Sequence, residues 1–286
     1  MTIGFIGLGA MGRPMALHLL RRGYSLGVYA RRPANAVPVT SAGAAVYPTP
    51  AALGEASDLV ITMVTATNDV EEILLGPDGA GARARPGTVF IDMSTIAPAG
   101  AVRIGQALAA RGLHFVDAPV SGGPASAENA SLTIMVGAEG AVLDRVRPVF
   151  ECLGKLIVHV GPVGAGQTTK ACNQLVLLIT AEAVAEGLAL AARSGLDPRL
   201  VRQALLGGLA SSRVLDVFGG RMVDRHFDAG IPVRLYDKDL RIVFDAAAAV
   251  GQPVPAFEVV RSNLAALMAR GEGAKDLSVL VEVLER

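Results

Sequence analysis

Residues 4–20 read GFIGLGAMGRPMALHLL, and this stretch decides the fold of the first half of the chain. It holds three glycines in G-x-G-x-x-G spacing, between an apolar strand pattern and a helical pattern. In such a turn the first glycine permits the bend, the second lets the backbone approach a pyrophosphate, and the third lets helix and strand pack closely. The helix N-terminus offers unpaired N–H groups to the phosphates. The stretch therefore predicts a dinucleotide-binding turn whose contacts come from Gly7, Leu8, Gly9, Ala10, Met11 and Gly12.

The second predicted strand indicates which dinucleotide is preferred. An NAD site of this type has an Asp or Glu about 20 residues after the glycines, which bonds the ribose 2′-hydroxyl. Here the first acidic residue is Glu55, and the strand SLGVYA is followed by Arg31 and Arg32. Two arginines can belong to a solvated turn, but a guanidinium also binds a 2′-phosphate by charge-assisted hydrogen bonds. We therefore expect NADP(H) to be favoured, with NAD(H) left open as a second cofactor.

Further cofactor contacts are expected where later strands end, because ligands bind outside the carboxyl ends of parallel strands. TMVTATNDV and IDMSTIAP are the two segments concerned. Thr65 can equally cap the next helix. The predicted contacts are Met63, Val64, Thr65 and Thr95.

The order of patterns along the chain predicts two domains. Up to residue 161, short apolar runs alternate with helical patterns, which is typical of a doubly wound α/β domain with a parallel sheet and helices on both faces. From about residue 165 only the 3.6-residue period remains. We predict a Rossmann-type domain over residues 1–162 and an all-α domain over 163–286, joined by a long helix. The predicted helices are 166–193, 198–206, 214–222, 237–250, 255–269 and a short one near the end.

Composition narrows the classes of function. The chain has 286 residues, of which 51% are hydrophobic, and its 26 basic residues equal its 26 acidic residues. This balance, with no Trp and only 4% aromatics, argues against nucleic acid or an anionic membrane as partner. Glu182 and Glu186 interrupt the long apolar helix, which argues against a membrane span. We expect a soluble cytoplasmic protein without a bound metal, whose two cysteines, Cys152 and Cys172, are small core residues in a reducing compartment.

Four ordered motifs carry a resemblance that covers essentially the whole chain. They are GFIGLGAMGRPMA (4–16), DAPVSGG (117–123), GPVGAGQTTKACNQ (161–174) and YDKDL (236–240). Together they resemble the β-hydroxyacid dehydrogenases, the family of 3-hydroxyisobutyrate dehydrogenase and 2-hydroxy-3-oxopropionate (tartronate semialdehyde) reductase. Within the family, residues 170–174 and 201–216 are most similar to the tartronate semialdehyde reductases.

The resemblance implies roles for individual residues. Lys170 matches the catalytic lysine of the family and Asn173 the neighbouring substrate-site amide. Lys238 matches a cofactor-site lysine, and Thr95 a contact on the nicotinamide side. The substrate carboxylate would bind the loop of Ser121, Gly122 and Gly123. The family fold is a Rossmann domain joined by a long helix to an α-helical domain that builds the oligomer interface, so a homodimer or homotetramer is expected.

Two departures from the family pattern affect single contacts. Ala130 stands where relatives often have Gly before the Ser-Leu pair, and Ala30 stands where an Asn is frequent. The first bears on the shape of a loop, and the second on a hydrogen bond to the adenosine ribose. Neither touches Lys170.

Lysine chemistry gives a mechanism to this resemblance. Only four of the 26 basic residues are lysines, and two of them lie in the motifs. Lys170 and Asn173, three residues apart, share a helix face, which we expect to border a cleft between the domains. The hypothesis is that NADPH reduces the aldehyde of a short 3-oxo acid, as in the conversion of tartronate semialdehyde to D-glycerate. Lys170 would give a proton to the carbonyl oxygen, and in the oxidative direction it would take that proton back.

Several alternatives remain at this stage. A 3-hydroxyisobutyrate dehydrogenase should prefer NAD, which the paired arginines disfavour. Related members act on succinic semialdehyde, sulfolactaldehyde or cyclic imines, and the imine reductases lack the motif lysine. A nucleotide-binding scaffold or sensor is the non-enzyme alternative. The residues that set substrate size are expected near Ser211, Ser212 and Tyr236, in an arrangement that the sequence leaves open.

Overall fold

The protein is described here from a computed structural model, which covers residues 1–228 and 230–285. The chain forms two compact units, Met1–Lys170 and Ala171–Arg286. The division falls within one long helix, Ala165–Arg193, whose first residues belong to the first unit.

The first unit alternates strands with helices, as the sequence predicts. Its strands are β1 (Thr2–Ile6), β2 (Ser25–Tyr29), β3 (Ala45–Val46), β4 (Leu59–Thr62), β5 (Val89–Asp92), β6 (His114–Asp117), β7 (Val120–Ser121), β8 (Leu132–Gly137) and β9 (Gly154–Gly161). Its helices are α1 (Gly12–Arg21), α2 (Val37–Thr40), α3 (Pro50–Glu55), α4 (Thr67–Leu75), α5 (Pro98–Ala109), α6 (Gly123–Glu128), α7 (Gly140–Phe150) and the start of α8 (Ala165–Arg193).

The sheet is parallel over most of its width. Its strand order is β3-β2-β1-β4-β5-β6-β8-β7, with β9 also paired to β8. The order runs outward from β1 in both directions, which is the doubly wound arrangement. β8, however, is antiparallel to both β6 and β7. The predicted parallel sheet is therefore confirmed from β3 to β6, and β8 departs from it at this edge. A parallel crossover needs a dozen or more residues, and only ten separate β7 from β8, so the chain turns back instead.

Side-chain alternation along the strands buries both faces of the sheet. Phe5 and Ile61 belong to one apolar cluster, together with Met15 of α1. Val60 and Phe90, which point to the opposite face, pack in a second cluster with residues of α5. Because both faces are covered by helices here, the inner strands β4 and β5 are buried along their whole length, as expected for a doubly wound domain, whereas β3 and β9 are largely exposed.

The second unit is built from helices. After α8 come α9 (Pro198–Leu206), α10 (Arg213–Asp224), α11 (Val233–Ala249), α12 (Pro255–Ala269) and α13 (Val281–Leu284), with a short 3₁₀ turn at Leu277–Leu280. No strand occurs among the described residues of this unit, which contain one isolated bridge between Pro232 and Asp276. Helix α11 begins four residues before the predicted start, because Val233 and Tyr236 add a buried apolar first turn.

Helix α8 is long and apolar enough, by length and composition alone, to cross a membrane. Less than half of its most apolar stretch is buried. Cys172 lies on its exposed side, so the expectation of a core residue is wrong there, while Cys152 after α7 is buried as expected. Two of the buried polar residues of α8 have partners inside the second unit, however: Gln174 donates to Asp239 and Glu182 accepts from Asn263. A side of the helix that packs on α11 and α12 through polar contacts is typical of a core helix in a helical domain.

Candidate active site

The glycine turn has the geometry that its sequence spacing predicts. Gly7 has φ +103°, and a Cβ there would lie 2.1 Å from the carbonyl oxygen of Met63. A Cβ on Gly12 would lie 1.9 Å from the carbonyl oxygen of Gly7, so the start of α1 packs directly on the turn. At Gly9, by contrast, a Cβ would meet no atom within 4 Å. The first and third glycines are therefore required by the fold, while the second leaves its backbone open to a ligand.

A cleft of about 830 Å³ opens beside this turn, entirely within the first unit. That volume lies in the range typical of small-molecule sites. Eight of the predicted cofactor residues line the cleft, namely Gly7, Leu8, Gly9, Arg31, Arg32, Met63, Val64 and Thr65. They come from the ends of β1, β2 and β4, so the cleft lies at the carboxyl edge of the sheet, where a dinucleotide site is expected.

The remaining predicted cofactor residues lie outside the lining of this cleft. Ala10, Met11 and Gly12 form the approach to α1 and its first residue. Thr95 is half-buried just after β5, and Lys238 lies on α11 in the second unit. Thr65 is exposed and is not the helix cap considered from the sequence, because α4 is preceded by Ala66.

Arg31 and Arg32 follow β2 at the rim of the cleft, and both are exposed. Neither forms an ion pair with a carboxylate in the part of the chain that the structure describes. Two guanidinium groups therefore reach the cleft with their donors available to an anion. Together with the open backbone at Gly9, they make the cleft fit a phosphorylated dinucleotide.

The structure adds cleft residues that the sequence reasoning missed. Asn35 follows the two arginines in a short 3₁₀ turn, and Asn68, Asp69, Glu72 and Ile73 belong to α4. One carboxylate oxygen of Asp69, Oδ2, already accepts the backbone N–H of Ala66 at 3.1 Å. The rule that ligands lie beyond strand ends could have indicated these positions, because they follow β2 and β4 by a few residues.

The loop proposed for the substrate carboxylate follows β7. Gly122 has φ +131°, and a Cβ there would lie 2.5 Å from Ser126. Gly123 has φ +68°, with open space where a Cβ would stand. Both glycines are thus in conformations that other residues rarely adopt, and Gly123 leaves room beside the backbone. Ser121, the last residue of β7, is half-buried next to them.

The start of α8 is held by a buried carboxylate. Asp117, at the end of β6, accepts the backbone N–H of Gly164 at 2.7 Å and that of Gln167 at 2.8 Å. Burial raises the pKa of the Asp117 carboxyl to about 6, the two backbone hydrogen bonds act against that rise, and the neighbouring Asp92 adds to it. A helix N-terminus next to a carboxylate is a favourable electrostatic pair.

Lys170 lies one turn after Gln167 on the same helix. Only 8% of its surface is exposed, although lysine is among the residues least often buried. Asn173 is half-buried three residues further on, at the beginning of the second unit. The helical spacing gives both residues the same face of α8, as the sequence predicts.

In the second unit, Lys238 forms an ion pair with Asp239 at 3.0 Å. Asp239 also accepts a hydrogen bond from Gln174 of α8 at 2.5 Å. The residues suggested for substrate selection separate into different roles. Ser212 caps α10 through the N–H of Leu215, and Tyr236 is buried in the apolar core of the helical unit.

Comparison with protein families matches both halves of the chain. Residues 2–161 match the model described as the NAD binding domain of 6-phosphogluconate dehydrogenase. Residues 164–284 match the model described as NAD-binding of NADP-dependent 3-hydroxyisobutyrate dehydrogenase. The two matches together cover nearly the whole sequence.

Individual relatives agree with these family matches. The chain is 42% identical to 2-hydroxy-3-oxopropionate reductase of Escherichia coli K12, over 100% of this chain and 97% of that protein. It is 36% identical to 3-hydroxyisobutyrate dehydrogenase of Pseudomonas aeruginosa, over 94% and 93%. Among solved structures, Mycobacterium tuberculosis 3-hydroxyisobutyrate dehydrogenase with L-serine superposes with a TM-score of 0.91 at 32% identity, covering 100% of this chain and 99% of that chain.

Proposed function

The chain belongs to the NAD(P)-dependent β-hydroxyacid dehydrogenase family, and from this premise we propose that it reduces tartronate semialdehyde (2-hydroxy-3-oxopropionate), a short 3-oxo acid, to D-glycerate. The observation that carries the proposal is the buried Lys170 at the start of α8. Lysine is the basic residue whose pKa responds to its surroundings, so a buried lysine beside a cofactor domain is suited to proton transfer. The relative that is 42% identical over the whole chain supports this substrate over others in the family.

The proposed cofactor is NADP(H), with NAD(H) as a weaker substitute. Arg31 and Arg32 reach the cleft, and no acidic residue occupies the position after β2 that would bond a ribose 2′-hydroxyl. A guanidinium pair attracts a 2′-phosphate, whereas a carboxylate there would repel it. Ala30 also lines the cleft and offers no side-chain hydrogen bond to the ribose, so recognition at this end depends on the arginines.

Each residue of the proposed mechanism acts on a defined atom of the substrate. The nicotinamide, when bound, supplies the hydride that the aldehyde carbon accepts. The Lys170 ammonium donates a proton to the carbonyl oxygen as negative charge develops there, and neutral Lys170 accepts that proton in the oxidative direction. Asn173 orients the substrate beside the lysine. The loop of Ser121, Gly122 and Gly123 binds the carboxylate and thereby fixes the distance from the anchor to the reacting carbon.

A second substrate is supported by a specific observation. Relatives named 3-hydroxyisobutyrate dehydrogenase match the chain over more than nine-tenths of its length. That assignment predicts activity on a branched hydroxy acid. Because the matched family model is described as NADP-dependent, the paired arginines do not separate the two substrates, and the semialdehyde assay decides between them.

We also propose a homodimer or homotetramer, located in the cytoplasm. Cys172, Val176, Ala183 and Leu190 form an exposed stripe along α8, and the exposed fractions of Val176 and Leu190 are 64% and 68%. An apolar stripe of this length is the kind of surface that a second copy covers. A Leu190→Glu variant that runs as a smaller species than the wild type in light scattering would support this interface, and an unchanged mass would contradict it.

The function is tested by following NADPH absorbance on mixing the protein with a panel of short semialdehydes. Tartronate semialdehyde, methylmalonate semialdehyde, succinic semialdehyde and sulfolactaldehyde are each assayed with NADPH and NADH. We expect the highest kcat/KM for tartronate semialdehyde with NADPH. A higher value for methylmalonate semialdehyde with either cofactor would instead identify a 3-hydroxyisobutyrate dehydrogenase.

A further inference from the structure

The side chain of Gln167 bridges the two peptide groups on either side of Thr95. Its Oε1 accepts the backbone N–H of Ile96 at 3.1 Å, and its Nε2 donates to the carbonyl oxygen of Ser94 at 2.8 Å. Gln167 is completely buried, and both ends of its amide are used. The segment that carries Thr95 is therefore attached to α8 by one side chain.

Gln167 is itself fixed by Asp117. The Asp117 carboxylate accepts the backbone N–H groups of Gly164 and Gln167, so it holds the first turn of α8 against the end of β6. Glycine is required where these elements meet. A Cβ on Gly166 would lie 2.6 Å from the carbonyl oxygen of Asp117, and one on Gly137 would lie 2.3 Å from its Oδ1. The contact leaves no space for the helix start to shift along the sheet.

Lys170 follows Gln167 by one helical turn, on the same face of α8. The same rigid turn thus carries the lysine and, through the Gln167 amide, determines where the peptide groups around Thr95 lie. We propose that Gln167 is a positioning residue for the reduction, which keeps Thr95 and Lys170 in a fixed mutual arrangement. This inference rests on the proposed function, since it concerns the alignment of a nicotinamide-side residue with a proton donor.

The size of the effect follows from how sharply hydride and proton transfer depend on alignment. A displacement of about 1 Å costs on the order of 100-fold in rate. Gln167 does not line the nucleotide cleft, so its loss should leave cofactor binding intact. If the Gln167 amide had only a structural role, its replacement would lower the thermal stability of the protein, and kcat and NADPH affinity would fall together.

The test compares Gln167→Met with Gln106→Met. Methionine has a similar length but makes neither hydrogen bond, and Gln106 is an exposed glutamine of α5 in the same unit. We expect Gln167→Met to bind NADPH, measured by nicotinamide fluorescence, within about threefold of the wild type, while its kcat falls by about 10- to 100-fold. The primary isotope effect with NADPH deuterated at the transferred position should increase, because misalignment slows the chemical step. Gln106→Met should match the wild type.

A double-mutant cycle tests whether Gln167 acts through Thr95. Thr95→Ala should lower kcat less in the Gln167→Met protein than in the wild type, because coupled residues are not additive. Gln167→Asn serves if Gln167→Met does not fold: it keeps a neutral amide, but it is one methylene shorter and cannot hold both hydrogen bonds, so an intermediate kcat is expected. A folded Gln167 variant with kcat within about threefold of the wild type, or an additive cycle, would overturn the proposal. Failure of the proposed substrate is distinguishable from failure of this inference, because the wild type would then prefer another semialdehyde. That semialdehyde would replace tartronate semialdehyde in the same kinetic comparison.

Discussion

The Asp117 carboxylate accepts the backbone N–H of Gln167 at 2.8 Å, across 50 residues of sequence. This contact and its companion to Gly164 connect the end of a central strand to the first turn of the helix that carries Lys170. Asp117 is fully buried, and Asp92, also fully buried, is the acidic neighbour that adds to the rise of its pKa.

Asp117 should therefore give the protein a stability that decreases as pH rises. Its pKa is raised from 3.8 to about 6, so the folded state holds the proton more tightly than the unfolded state. The stabilisation is fully present below pH 3.8 and is lost as pH rises through about 6. Since each pH unit between the two pKa values changes the free energy of unfolding by about 1.4 kcal/mol, the total is on the order of 3 kcal/mol.

The measurement compares urea unfolding of the wild type and Asp117→Asn between pH 4 and pH 7. The asparagine does not titrate, so the stability of the wild type relative to the variant should decline over this interval. Equal pH slopes in the two proteins would show that Asp117 does not titrate as described.

The glycine turn separates a structural glycine from a ligand-facing one. Gly7→Ala would place a Cβ against the backbone of Met63 at a positive φ, so we expect a loss of about 2 kcal/mol or more in unfolding free energy. Gly9→Ala meets no atom within 4 Å, and its stability should stay within about 0.5 kcal/mol of the wild type. NADPH affinity of Gly9→Ala should nevertheless fall by about tenfold, because the added methyl stands where the backbone approaches the pyrophosphate. Chemical unfolding measures the stability of both variants, and NADPH titration measures their affinity. If Gly9→Ala binds NADPH as tightly as the wild type, the pyrophosphate does not bind at this turn.

Arg31 and Arg32 should set the preference between the two cofactors. Replacing both with Ala removes charge-assisted hydrogen bonds worth about 1.5–3 kcal/mol, so the KM for NADPH should rise by about 10- to 100-fold. The KM for NADH, which lacks the 2′-phosphate, should change by less than about threefold. Arg111→Ala, an exposed arginine away from the cleft, is the matched control. Parallel increases for both cofactors would contradict a 2′-phosphate site.

Lys170 should be required for turnover. Lys170→Ala is expected to lower kcat by about 100- to 10,000-fold, the usual contribution of a general acid. Lys170→Arg should be almost as slow, because a guanidinium does not release its proton usefully. Lys155→Ala, which removes an exposed lysine of β9, should behave as the wild type. Near-normal turnover in either Lys170 variant would exclude this lysine as the proton donor.

Ala130 is a site where a substitution should stabilise the protein. It has φ +49°, in the left-handed region, where a Cβ costs about 1–2 kcal/mol. Glycine removes that strain but adds about 0.4–1 kcal/mol of unfolded-state entropy, so Ala130→Gly should raise the unfolding free energy by up to about 1 kcal/mol. Differential scanning calorimetry should show a higher Tm, with Ala127→Gly, a buried residue of the neighbouring helix, lowering it. A lower Tm for Ala130→Gly would mean that the loop is unstrained.

Much of the first unit could be predicted from local patterns. The G-x-G-x-x-G spacing predicted a turn in which the three glycines have different surroundings. This was predictable because the space around each glycine depends on backbone atoms a few residues away or in the neighbouring strand. The alternation of strands and helices predicted a doubly wound sheet, and the loss of alternation after residue 161 predicted the helical half. The antiparallel β8 was not foreseen, since strand direction depends on how far the chain travels before it pairs.

The sequence by itself determined the fold class and the family motifs, and it predicted candidate residues for binding a dinucleotide and transferring a proton. Only the tertiary structure decided that Asn35 and Asn68 share a cleft with the glycine turn, and that Asp117 and Gln167 connect Thr95 to the start of α8. The physical reason is the range of the interactions. Periodicity and turn chemistry act over a few residues, whereas a buried carboxylate or amide finds its partner 47 to 73 positions away, after the sheet has brought the strand ends together.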